Sequence, residues 1–200
     1  DLKRAVRFIR YNAKEYGIDP DHIGITGSSA GGHLSLMVAT ADDEKDLKSF
    51  DPVDKISARV QAVAVFYPPT DFFNYGAANT TGKINEKGLV LAKVAAAFDF
   101  KEWNDTTGTY VSITDTKRRL EMAREISPIN SVSSDDPPVI IIHGDKDFLV
   151  PKQQSESIIE KFREVKVHCE LIIKEGGSHG WRNRELEEQR FVDWFDKYLK

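Results

Sequence analysis

A single cysteine, two methionines and no long apolar run mark what this 200-residue chain does without. Cys169 alone excludes an intrachain disulfide, so a buried core has to hold the fold, and a reducing compartment suits it. In Val167-His168-Cys169-Glu170-Leu171 apolar residues alternate with polar ones, which reads as a buried strand position. No stretch approaches the roughly 18 apolar residues of a membrane span, and the first residues carry no signal-peptide core. Both methionines, Met37 and Met122, are internal and the chain opens on Asp1, so targeting is open between cytoplasm and export. Excess charge of one sign is also missing. Lysine and arginine number 28 against 32 acids, a net charge of -4, and the two signs alternate, which argues against nucleic acid as a partner. With no phosphate loop, nucleotide fingerprint or metal-ligand spacing, no cofactor is expected.

What is present is a soluble α/β pattern. At 40% hydrophobic and 30% charged, the chain can bury one substantial core. Leu2, Ala5, Val6, Ile9, Ala13 and Tyr16 recur at helical spacing until Gly17, which predicts an amphipathic helix over 1–16. Strands are expected at Ile23 to Thr26, Val60 to Phe66, Val139 to Ile142 and Val167 to Ile173. Helices are expected at about Ala30 to Thr40, Lys152 to Glu164 and the C-terminus. The near-continuous apolar second strand indicates burial on both faces. Such alternation implies a parallel sheet with helices on both faces. Residues 68–138 exceed the short connections of such units and read as an inserted cap. It contains Phe72-Phe73-Asn74-Tyr75, an apolar helix over Leu89 to Phe98 and a charged helix near Lys117 to Glu125. Packing filler is the competing reading of this insertion.

The densest signal is Gly27-Ser28-Ser29-Ala30-Gly31, a Gly-x-Ser-x-Gly between a strand and a helix. On such a nucleophile elbow, Gly27 and Gly31 let backbone pass close while Ser29 stands exposed at a strained turn. A serine hydroxyl needs an imidazole to take its proton and a carboxylate to orient that imidazole. His179, in Gly176-Gly177-Ser178-His179-Gly180 after the fourth strand, is the expected base. After the third strand, Asp145 and Asp147 compete for the acid. The Ala30 N–H, one residue past the nucleophile, is the expected oxyanion donor. His22, His33, His143 and His168 read as structural, with a pocket-lining place as the lesser alternative for His33. Asp71 reads as a turn cap. Asn79-Thr80-Thr81 and Asn104-Asp105-Thr106 match glycosylation sequons, of consequence only in a eukaryotic secretory path.

Tyr16 to Ile23 leading into Gly27 to His33 resembles α/β-hydrolase esterases of the lipase and acetyl-esterase type. Ser127-Pro128-Ile129-Asn130, Pro137-Pro138-Val139, His143 to Pro151 and Gly177 to Gly180 are similar to bifunctional feruloyl and acetyl xylan esterases. The resemblance selects Asp147 over Asp145, since related hydrolases place the acid just before a hydrophobic-Val-Pro turn. It implies ester hydrolysis through an acyl-serine, with acetylated or feruloylated plant polysaccharide as a candidate substrate. A serine peptidase of the prolyl-oligopeptidase type shares the elbow and the triad order. A weakly active fragment or binding module is the reading from outside catalysis.

Such esterases have an eight-stranded sheet and a His-Gly-Gly loop in the oxyanion hole; only four strands and no such loop are visible. The chain therefore reads as the C-terminal part of the fold, one domain over 1–200 without its N-terminal strands. Ile23 and Ile25 would form an exposed apolar edge if unpaired. The expected partner is an upstream segment or another chain, with self-association into a homo-oligomer as the competing expectation.

Overall fold

The computed structural model describes residues 1–76 and 99–200. Its centre is a four-stranded, all-parallel sheet of β1 (Gly24–Ser28), β2 (Ala62–Phe66), β5 (Val139–Gly144) and β6 (Cys169–Lys174), hydrogen-bonded in the order β1-β2-β5-β6. Register places Ser28 beside Phe66, Phe66 beside Ile142, and Gly144 beside Lys174, so all four strands finish at one edge. Brought together there are the loops after the strands, the usual place for ligands in open α/β sheets.

Alternation along the two inner strands sorts side chains into two cores. Val63, Val65, Val139 and Ile141 pack with Val6 of α1 (Leu2–Tyr11), Leu36 and Val38 of α3 (Ala30–Thr40), and Ile158, Ile159 and Phe162 of a later helix, Gln153–Glu164, designated α5. Ala62, Ala64, Phe66, Ile140 and Ile142 face the other way, onto Phe191 and Trp194 of the C-terminal helix α6 (Glu185–Leu199). Helices therefore cover both faces, and every residue of β2 and β5 is buried. No described helix is long and apolar enough to cross a membrane.

Several expected elements differ in detail. The N-terminal helix breaks at Asn12, whose side-chain amide donates to the Phe8 carbonyl at 2.8 Å. A short α2 (Ala13–Tyr16) follows, and Gly17 ends it at φ 66°. β1 sits at the sheet's outer position and, among the described residues, bonds only to β2. Ile23 and Ile25 are nonetheless half-buried against the first core, because their side chains turn toward the helix layer and not outward along the edge. Cys169 opens β6, also an outer strand, and is half-buried, not buried.

Between β2 and β5 the insertion holds an unanticipated antiparallel hairpin, β3 (Lys101–Asn104) with β4 (Thr109–Ser112). Asn104 Oδ1 accepts from the Thr106 and Thr107 amides at its turn, and Gly108 follows at φ 64°. The Asn104 sequon side chain thus serves as a turn cap. The charged helix α4 (Thr116–Glu125) is present; the Leu89 to Phe98 segment and the Asn79 sequon lie outside the described residues.

The ends of the insertion are fastened to the sheet domain. Buried Gln154 accepts the Thr70 and Asp71 amides through Oε1 at 2.8 and 2.7 Å, and the insertion's two ends are tied to each other where the Phe72 amide donates to Ser127 Oγ at 2.8 Å. Asp71 caps the turn as expected, its Oδ1 accepting from the Phe73 and Asn74 amides. Tyr75 Oη donates to the Leu149 carbonyl at 2.7 Å, and burial pushes its phenol well above the ordinary range.

Candidate active site

β1 ends at Ser28 and α3 begins at Ala30, so Ser29 alone reverses the chain, at φ 55° and ψ -120°. That backbone is strained for any residue with a Cβ, a cost of order 1–3 kcal/mol that its surroundings must offset. The Ser29 amide donates to the Phe66 carbonyl at 3.0 Å, and its own carbonyl accepts from the His33 amide at 2.9 Å. A Cβ on Gly27 would stand 2.4 Å from Gly31 backbone atoms, which explains that glycine. For Gly31 the expectation fails: a Cβ there meets nothing within 4 Å. The second close approach belongs to Gly32, whose Cβ would lie 3.2 Å from the Phe66 carbonyl oxygen and from Pro68. Ala30 begins α3, so its amide is among the helix's first four, which lack intrahelical acceptors.

Two further loops meet this turn. His179 Nε2 lies 2.9 Å from Ser29 Oγ, and His179 Nδ1 lies 2.7 Å from Asp147 Oδ2. An ionised carboxylate can only accept, so Nδ1 carries the proton and Nε2 is left to accept from the serine hydroxyl. Asp147 is buried, and its other oxygen accepts from the Leu149 and Val150 amides at 3.0 and 2.8 Å. Burial by itself would push its carboxyl up. Hydrogen bonds from His143, His179 and the Val150 amide outweigh that and hold it far below the usual carboxylate range.

Asp145 is not part of this group. Its Oδ1 accepts from the Gly176 amide at 2.7 Å, which fastens the acid-bearing loop to the histidine-bearing one. The Asp145 and Lys146 amides add bonds to the Lys174 and Gly177 carbonyls at 3.1 and 2.9 Å. The loops touch so closely that a Cβ on Gly144 would sit 2.2 Å from the Gly177 carbonyl oxygen.

The remaining histidines stand elsewhere, with one exception. His22 pairs with Asp19 at 2.8 Å, and His168 stacks on Trp194 with ring centroids 5.3 Å apart. His33 Nε2 lies 2.7 Å from the Ile126 carbonyl with its ring edge-on to Phe72; burial pushes its imidazole down. His143, read from sequence as structural, is fully buried yet adjoins the site. Its Nε2 lies 2.8 Å from the Val150 carbonyl and 3.5 Å from Asp147 Oδ2, and its Nδ1 lies 2.6 Å from Ser155 Oγ. Because the carbonyl can only accept, Nε2–H points to Val150 and the acid, and Ser155 donates to Nδ1.

Two contributors escaped sequence reasoning. Tyr67 packs its ring against His179, and the Gly144–Gly177 contact draws the Asp147 and His179 loops together. Glycines at both loop starts were the visible trace of the second. Among the described residues no group of three His, Cys, Asp or Glu side chains could hold a metal ion.

Several curated relatives are esterases by name. The chain is 32% identical over 166 residues to the probable carboxylic ester hydrolase LipM of Mycobacterium tuberculosis, covering 82% of this chain and 33% of that protein. To esterase LipQ of the same organism it is 30% identical over 166 residues, covering 82% of this chain and 34% of the relative. The chain thus spans about a third of the length of these curated relatives. A solved neighbour is an acetyl ester-xyloside bifunctional hydrolase from Caldicellulosiruptor lactoaceticus, with a TM-score of 0.69, 27% identity, and coverage of 98% of this chain and 61% of that one. A bifunctional GH43-CE protein of Bacteroides eggerthii gives a TM-score of 0.75 at 30% identity, covering 98% of this chain and 26% of that one. The BD-FAE family model matches residues 1–162, which together with the parallel sheet and its solved neighbours establishes that this chain belongs to the BD-FAE family and has an α/β-hydrolase fold.

Proposed function

We propose that the chain carries the catalytic centre of a serine carboxylesterase, with Ser29 as nucleophile, His179 as general acid and base, and Asp147 orienting the imidazole. The observation that carries this reading is the unbroken relay from Ser29 Oγ through His179 to Asp147, at 2.9 and 2.7 Å. Ser29 Oγ attacks the acyl carbon as its proton passes to His179 Nε2, and the Asp147 carboxylate stabilises the imidazolium. The Ala30 amide donates to the carbonyl oxygen as it becomes an oxyanion. Collapse of the tetrahedral intermediate breaks the ester C–O bond, and His179 returns the proton to the departing alkoxide. Water, deprotonated by the same imidazole, then attacks the acyl carbon; the bond to Ser29 Oγ breaks, the acid leaves, and His179 returns the proton to Ser29 Oγ.

Acetyl or feruloyl esters of plant polysaccharide are the proposed substrates, supported by the acetyl ester-xyloside and carbohydrate esterase activities that the solved neighbours' names state. In this reading residues 1–200 act as one domain and the insertion over 68–138 caps its site. Its anchored stem supports that role, since Tyr75 reaches the loop that bears Asp147.

The test is labelling and turnover in the whole chain. A fluorophosphonate is expected to modify the peptide containing Ser29, and Ser29→Ala is expected to lower aryl acetate hydrolysis by about 10⁴-fold or more. Unchanged hydrolysis in that variant overturns the assignment. Preference for a dipeptide amide over the ester would place the chain with serine peptidases.

A further inference from the structure

Tyr67 stands at φ 36°, a region that bulky residues seldom adopt. Its neighbour deepens the anomaly, because the Pro68 ring biases the preceding residue toward extended backbone. Glycine or asparagine would relieve the strain, yet a tyrosine occupies the position and is 4% exposed. A strained residue is a reason to ask what its side chain does.

The ring lies against the imidazole of His179, with centroids 4.6 Å apart and planes tilted by 57°. Trp181 closes on it edge-first at 5.5 Å, and the ring of His143, which underlies Asp147, stands edge-on at 6.4 Å. The far end of the side chain is tethered, since Arg184 Nη1 donates to Tyr67 Oη at 3.2 Å. That arginine in turn lies over the Phe66 ring at 5.1 Å and pairs with Glu188 at 3.4 Å. The backbone is fixed as well: the Tyr67 amide donates to the Ile142 carbonyl at 2.9 Å. One residue earlier, the Phe66 carbonyl accepts the Ser29 amide. The end of β2 therefore grips the elbow with Phe66 and meets the base with Tyr67.

We propose that Tyr67 is a positioning residue, whose ring holds the His179 imidazole in the plane that connects Ser29 to Asp147. An extended backbone at residue 67 would redirect the side chain away from its present course, and the positive φ is what brings it onto the imidazole. His179 is part-exposed on a loop with Gly177 before it and Gly180 after it, so its two hydrogen bonds do not by themselves stop the ring from swinging. Both ring nitrogens of His179 are engaged, Nδ1 by Asp147 and Nε2 by Ser29, so ring contact, and not a hydrogen bond from its phenol, is what Tyr67 offers the base.

This inference rests on the triad proposed above, and three variants of the whole chain separate the two. Tyr67→Phe keeps the ring and loses only the Arg184 tether; kcat for an aryl acetate is expected within about threefold of the parent. Tyr67→Asn tolerates the positive φ but removes the ring. It is expected to lower kcat by 10-fold to 100-fold with KM changed less than threefold, and to slow fluorophosphonate labelling of Ser29 in proportion, measured on the folded fraction. Proton NMR supplies a readout independent of turnover. The low-field His179 Nδ1–H resonance is expected in the parent and in Tyr67→Phe, and broadened or lost in Tyr67→Asn. If folded Tyr67→Asn keeps kcat, the labelling rate and that resonance, the positioning role is wrong, while a dead Ser29→Ala still upholds the triad. If Ser29→Ala stays active, the triad itself is wrong, and a resonance unchanged in Tyr67→Asn then overturns the positioning role too.

Discussion

Asp147 receives four hydrogen-bond donors or near donors: His179, His143 at 3.5 Å, and the Leu149 and Val150 amides. Asp147→Asn keeps the shape but replaces an obligate acceptor with an amide that can donate. His179 would then be free to hold its proton on Nε2, where it cannot accept from Ser29. The expected loss in kcat is about 10⁴-fold, with little change in KM. Asp145→Asn serves as the comparison, because an asparagine oxygen can still accept the Gly176 amide and the charge pairing lost is a 3.9 Å contact with exposed Lys146. A variant at 147 that hydrolyses esters like the parent would remove the acid from the proposal. Sequence alone made Ser29 legible, since an elbow needs a particular backbone and small neighbours. It left Asp145 and Asp147 tied, because both follow the same strand and differ only in where the loop turns them. The places of Tyr67 and His143 were illegible for a related reason: they depend on rings that meet His179 and Asp147 from the ends of two different strands.

Elements were read better than their boundaries or their contacts. Each sheet strand was placed to within about two residues, since runs such as Val63-Ala64-Val65-Phe66 suit only a doubly covered strand. The β3–β4 hairpin was missed because its strands are short and largely exposed, leaving no apolar alternation to detect. Glycines give the sharpest contrast. Gly31 belongs to the elbow motif yet has open space where a Cβ would go, whereas Gly144, outside the elbow, has none. Gly31→Ala places an alanine inside α3 and is expected to leave stability unchanged or raise it by about 0.5–1 kcal/mol. Gly144→Ala forces a Cβ into the Gly177 backbone, where no flexible side chain can yield. A loss of about 1–3 kcal/mol is expected, seen as a fall in Tm of a few degrees per kcal/mol. Because this contact joins the loops of Asp147 and His179, the proposed acid and base, kcat should fall as well. Thermal melts of the two variants decide the matter, and a Gly31→Ala protein less stable than Gly144→Ala would refute the reading.

At the scale of the whole molecule, two buried aspartates push stability in opposite directions with pH. The Asp147 carboxyl is held below its unfolded value near 3.9. Below that pH the unfolded chain binds the proton first, so the stabilisation present above about 3.9 drains away on acidification through the folded value. Asp136, between the Ser133 turn and β5, is shifted the other way. Burial raises its carboxyl, and bonds from the Ser133 amide and hydroxyl only partly offset this. The folded state then holds the proton longer than the unfolded one, and stability falls as pH climbs from about 3.9 through the raised value. Substituting each by asparagine removes its titration. The Tm advantage of the parent over Asp147→Asn is expected to grow from pH 2 to about 4 and then level off. For Asp136→Asn the variant should gain on the parent as pH rises above about 4, since asparagine can still accept from Ser133. Melts followed by circular dichroism at half-unit pH steps provide the comparison, and parallel Tm curves for parent and variant would remove the corresponding aspartate from the account. The opposition has a structural origin: both carboxyls are buried, but only Asp147 lies between two histidines and two amides, and those donors suffice to keep it charged.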